Sequence, residues 1–184
     1  MLFRRIATVL GLTGTLLLPA AAAQADPDVS SPDAGYLVAA HQVNLAEIAA
    51  GRIAFTKSAD RGIKDIAVTF IRDHIVMDAK LTQVARELRV SLPTAPTEEQ
   101  QALARRYQAA GTDTFDEYFV ATQLAAHRES LKKTRTAAAE SDNAEVRELA
   151  AGAAPVIASH HGKLRAQAAA ENMVGYTQGG RHHD

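Results

Sequence analysis

Between residues 63 and 88 the chain places Ile63, Ile66, Phe70, His74, Met77, Leu81, Val84 and Leu88 three or four positions apart. Only a helix gathers positions so spaced onto one face, because a strand needs strict alternation. A helix with one such stripe cannot stand alone in water, so others must cover it. One position in the stripe is His74 rather than a hydrocarbon.

The covering helices are marked by their ends. Ser31 with Pro32 starts a helix that runs to about Lys57, its apolar face read as Leu37/Val38, His41, Leu45, Ile48 and Phe55. Ser58-Ala59-Asp60 turns the chain, and Asp60 caps the helix that carries the stripe to about Arg89. Pro93 and Pro96 then break the pattern. Thr97 with Gln100 forms a capping box for a short helix ending near Gly111. Thr114 with Glu117 forms another, for a helix from Phe115 to Glu140. Asp142 with Glu145 opens a last helix to about Val174, with Pro155 expected to kink or divide it. Four long helices in two hairpins, joined by a long connection holding a short helix, make an all-α four-helix bundle with a crossover.

Two end segments stand apart from residues 32–174. Arg4-Arg5, the apolar run Ile6 to Leu18 and the small residues ending at Ala25 follow the plan of a secretory signal over residues 1–25. The run is short for a membrane span, which takes about 20 residues. Residues 26–31 read as a flexible lead and 175–184 as a disordered tail. Cleavage after Ala25 leaves an exported protein, periplasmic, envelope-associated or extracellular, with no stable span; retention as an anchor is the other outcome. It also removes two of the 20 basic residues and none of the 21 acidic ones, leaving 18 against 21. That balance is no footprint for nucleic acid. With no cysteine in the chain, neither disulfides nor thiolate metal sites are available.

Each long helix carries one central histidine: His41, His74, His127 and His160, spaced 33 residues apart within each hairpin. At 1.5 Å per residue all four stand roughly 22–27 Å from a hairpin turn, level with one another whichever way the turns face. Asp78 lies one turn beyond His74 on the same face, while Asp73 points elsewhere and Glu47 lies off the His41 face. A buried imidazole must find a hydrogen-bond partner or a metal. Imidazoles with a carboxylate suit Zn, Cu or Fe. The candidate ligands are His41, His74, Asp78, His127 and His160, with Glu47 and Asp73 in direct or supporting contact. His161 reads as surface, and His182-His183 as a weak chelator at most.

Asn44 to Ile48, Gly51, Ala54, Asp73-His74, Leu92-Pro93, Phe115-Asp116, His127 and Pro155 with His160 resemble a bacterial family of ferritin-like exported proteins of unknown function. The likeness covers about Asp33 to Leu164. It implies a ferritin-like bundle, and Glu47, Asp73, His74, Asp116, His127 and His160 as its recurring positions. The family often sets an acid before its third-helix histidine, where this chain has Ala126. Di-iron carboxylate bundles use Glu-x-x-His. The positions three before each histidine are Val38, Ile71, Leu124 and Ile157, which argues against a ferroxidase.

Three functions follow. The first is a non-enzymatic metal-binding bundle. The second is a structural or stress-related envelope module, with a protein partner or a second copy, whose histidines only set helix register. The third is a redox enzyme on one metal. No Ser-His-Asp order and no phosphate loop is present.

Overall fold

The computed structural model describes residues 31–171, and the segments read from sequence as a signal, most of the lead and the tail lie outside them. The described residues are all-helical, with no strand: α1 Pro32–Lys57, α2 Arg61–Glu87, α3 Glu98–Ala109, α4 Phe115–Glu140 and α5 Ala144–Ala170. None of these helices is long and apolar enough to cross a membrane.

Local chemistry explains most boundaries. The Ser31 hydroxyl accepts from the Ala34 N–H, and the Asp60 carboxylate from Ile63. Thr97 and Gln100 form the full reciprocal box. Thr114 does not cap α4, because its backbone is already helical and its side chain turns back to the Gly111 carbonyl. The cap of α5 is Asn143, whose side chain accepts from Glu145 and Val146; Asp142 is one residue too early for that geometry. Pro155 does not divide α5. Its position and that of Ala151 are both exposed, so the carbonyl that loses its usual donor faces water.

α1 packs against α2 and α4 against α5, with α2 meeting α5 and α1 meeting α4. The two hairpin turns lie at opposite ends. Asn143 at the α4–α5 turn donates to Asp33 at the start of α1 (2.8 Å), while Gln167 near the end of α5 donates to Asp60 at the α1–α2 turn (2.9 Å). α1 and α5 therefore run one way and α2 and α4 the other. Residues 88–114 carry the chain back along the bundle, with α3 lying against α1. Gly51 lets α1 approach α2 closely: a methyl there would sit 2.8 Å from Ile71 Cγ1 and 3.1 Å from the Ala67 carbonyl.

The hydrophobic core is in two pieces. One, around Phe70, Tyr107, Phe115 and Phe119, fills the end near the α1–α2 turn. The other, around Leu37, Leu81, Ala85 and Val146, fills the opposite end. The buried polar side chains His41, Asn44, Glu47, His74, Gln123, His127 and His160 lie along the middle turns of the long helices, between the two.

Candidate metal centre

α1 supplies part of this layer from a face that its apolar pattern does not announce. The buried positions are Ala34, Leu37, His41, Asn44, Glu47, Ala50, Gly51 and Ala54. Leu45 and Ile48 are only half-buried and Phe55 is 49% exposed. Glu47 therefore lies on the inner face with His41. α1 is apolar on several sides, so its pattern leaves the phase open; the polar groups turn inward because their partners are across the bundle.

His74, His127 and His160 come together. One ring nitrogen from each lies within 4.8 Å of the other two. The ring centroids are 5.3–6.0 Å apart. Phe70, fully buried, stacks on His127 and packs against His160, each at 4.6 Å, and meets His74 edge-on at 6.1 Å. It fixes three imidazoles with one apolar wedge and keeps water from that side.

The outer nitrogen of each ring is committed. His127 Nδ1 donates to the Gln123 backbone carbonyl at 3.0 Å, an atom that can only accept. His160 Nε2 donates to Asp73 Oδ2 at 3.0 Å. His74 Nδ1 donates to Asn44 Oδ1 at 2.9 Å. A neutral imidazole has one hydrogen, so the other nitrogen of each ring is a bare lone pair. These are His74 Nε2, His127 Nε2 and His160 Nδ1, all buried and without a hydrogen-bond partner among the described residues.

The rings are kept neutral. Burial, then the charges of His127 and His160, hold His74 well below its ordinary range. Burial, then His160, lowers His127 to about 3. Burial also lowers His160, against the opposing pull of Asp73. Burial pushes the Asp73 carboxyl up, but its bonds from Arg72 and His160 outweigh that and it stays ionised below the usual range.

Glu47 is the nearby acid. It lines a cavity of about 100 Å³ with His74, His127 and Gln123, roofed by Leu103 and Tyr107. Burial raises its carboxyl to about 8, against a hydrogen bond from Gln123. With its nitrogen toward Glu47 the Gln123 amide donates at 2.8 Å; turned over, it donates to the Tyr107 hydroxyl at 3.3 Å. On the other side of His74 an open cleft of about 820 Å³ reaches Asn44, Asp73 and His74 between the helices.

The structure thus sorts the residues singled out from sequence. His74, His127 and His160 converge. Asp73 supports His160 from behind, having crossed from α2 to α5, although adjacency to His74 pointed it elsewhere. His41 is buried but meets a different set of partners, about one helical turn from the trio: its nitrogens meet Asp78 Oδ1 at 2.7 Å and the Pro93 carbonyl at 2.9 Å, while Asn44 is the α1 residue that meets His74. Asp78 therefore pairs with His41, not with the trio. Asp116 sits in the first turn of α4, far along the helix from His127. Asn44 holds His74, and Gln123 holds His127 and Glu47. Asn44 is legible in sequence only as one turn from His41, and sequence alone does not single out Gln123, although it stands one helical turn before His127.

The molecule is defined by these features as an all-helical bundle with a buried three-histidine cluster able to receive a metal ion. The chain belongs to the family of the domain of unknown function DUF4142, whose model matches residues 18–167. No curated protein and no solved structure matches it.

Proposed function

We propose that this chain is an exported, ferritin-like bundle that binds one first-row transition ion on His74, His127 and His160. The carrying observation is the close approach of three buried imidazoles, one nitrogen from each within 4.8 Å of the other two, with each ring held through a nitrogen that donates to an acceptor and its other nitrogen left bare. That backing orients imidazole ligands in metal sites. A point equidistant from nitrogens spaced by up to 4.8 Å lies about 2.8 Å from each. Zn–N bonds are about 2.0–2.1 Å, so each ring has to close by less than roughly 0.8 Å. Three neutral imidazoles suit zinc or copper, and iron less tightly. A tetrahedral ion on three ligands keeps one position for water or another small ligand, with the Glu47 cavity beside it.

The ferritin-like reading is supported by the long crossover and by two helices running each way, with the polar layer at mid-height. Export is supported by the order of basic, apolar and small residues in positions 1–25.

Elemental analysis of the protein after zinc or copper loading and exhaustive dialysis tests the reading. One ion per chain is expected, lost on His127→Ala or His160→Ala. Metal at about a thousand times its Kd should stabilise the protein by about 4 kcal/mol. If these variants match the wild type in metal content, and His74→Leu only stabilises the fold, the layer sets helix register and the proposal fails.

A further inference from the structure

We infer that the crossover is coupled to the metal centre through the hydrogen-bond chain Pro93–His41–Asp78–Asn44–His74, with His41 and Asp78 as positioning residues for the His74 ligand. This rests on the proposed metal site and adds how one of its ligands is set.

Each link constrains the next. The Pro93 carbonyl can only accept, so His41 Nε2 carries a hydrogen and donates to it at 2.9 Å. His41 Nδ1 meets Asp78 Oδ1 at 2.7 Å. The same oxygen receives the Asn44 amide nitrogen at 3.3 Å. With its donor end committed to Asp78, the Asn44 amide must turn its oxygen to His74 Nδ1, 2.9 Å away. His74 Nδ1 therefore holds the ring's hydrogen, and Nε2 is left a bare, buried lone pair. A carboxylate that touches no member of the trio thus decides which nitrogen of His74 is free to ligate.

The chain begins at the crossover. Pro93 precedes α3, and Gln42, next to His41, donates to the Ala95 carbonyl at 3.3 Å, a second tether of the same segment to α1. Neighbouring Leu92 packs on the core piece at that end of the bundle. Coupling of this kind is reciprocal: whatever the docked crossover adds to metal affinity, metal adds to crossover docking.

Asp78→Asn in the full chain tests the idea. An amide at 78 offers either an oxygen or an NH₂ to Asn44, so Asn44 is free to turn over. In metal-free wild type, ¹⁵N NMR should show His74 wholly as the Nδ1–H form, and in the variant as a mixture of both tautomers. Zinc affinity should fall about 10- to 100-fold, the usual effect of losing a residue behind a ligand. Zinc should also slow hydrogen exchange of the crossover amides in wild type but not in the variant. The tautomer measurement needs no metal, so it decides the relay even if wild type binds no zinc and the metal reading falls. His74 found wholly as Nδ1–H in Asp78→Asn overturns the relay, as does wild-type His74 protonated on Nε2. If Asp78→Asn does not fold, Asn44→Ala removes the acceptor directly and is read in the same way.

Discussion

Replacing Glu47 by Gln should make the difference in stability between the two proteins strongly pH-dependent. Glu47 is buried beside the centre, its one identified hydrogen bond comes from an uncharged amide, and its carboxyl is raised from 4.5 to about 8. A folded-state value above the unfolded one means that the native protein holds the proton longer. Its stabilising contribution is whole below about 4.5 and is lost as pH rises through about 8. At 1.36 kcal/mol per unit the full shift corresponds to nearly 5 kcal/mol, and between pH 5 and pH 9 about 4 kcal/mol of it should be lost. Gln has nearly the same shape and no charge to bury, so the comparison cancels the titration of every other group. Urea unfolding of metal-free wild type and Glu47→Gln at pH 5, 7 and 9 reads the difference directly. The variant should gain on wild type by about 4 kcal/mol across the range, and a bound divalent cation, which compensates the carboxylate, should shrink that gain. A difference constant to within about 1 kcal/mol would refute the reasoning, because Glu47 would then keep an ordinary carboxylate's behaviour.

The histidines should act on the acid side. Their folded-state values lie below the unfolded 6.5, so their contribution is whole above about 6.5 and is lost as pH falls toward about 3, where His127 titrates. Thermal melts of the metal-free protein should show the midpoint dropping through that window, and less steeply in His127→Phe. Phe70→Ala should cost about 3–5 kcal/mol in chemical denaturation, because it empties a fully buried site and removes the wedge under three rings. Gly51→Ala should cost about 1–3 kcal/mol by the same assay, since the Ala67 carbonyl at 3.1 Å belongs to a helix backbone and cannot simply turn aside.

The helices were legible because their signals are local. The stripe from Ile63 to Leu88 and the caps at Ser31, Asp60 and Thr97 depend on near neighbours only. Height was legible to about one turn, since rise per residue is fixed by helix geometry: His74, His127 and His160 meet, while His41 meets Asp78, one turn past His74. Azimuth was not. His41 meets Asp78 and Pro93 rather than the trio, because height along an axis says nothing about which neighbour a face meets. The phase of α1 was hidden by hydrocarbon on several of its sides, which put Glu47 on the wrong face. Asp73 reaching His160 depends on how α2 lies against α5, a contact 87 residues apart in the chain.

The polar layer is best understood by counting donors. Leaving a buried polar atom unpaired costs about 1–3 kcal/mol, so three nitrogens without any partner would cost roughly 3–9 kcal/mol of the 5–15 kcal/mol that holds a typical domain together. A network kept only to set register gains nothing from that loss, since apolar residues of the same size pack a core more stably. Here the outer nitrogens are paired with care and the inner ones are not. One water molecule between the rings has two hydrogens for three lone pairs. A proton on the trio is opposed by the burial that holds all three rings below their ordinary range. A single metal ion is a partner that satisfies three converging nitrogens at once. Its positive charge would also offset Glu47, when ionised, in the cavity beside His74 and His127, and the Asp73 carboxylate behind His160.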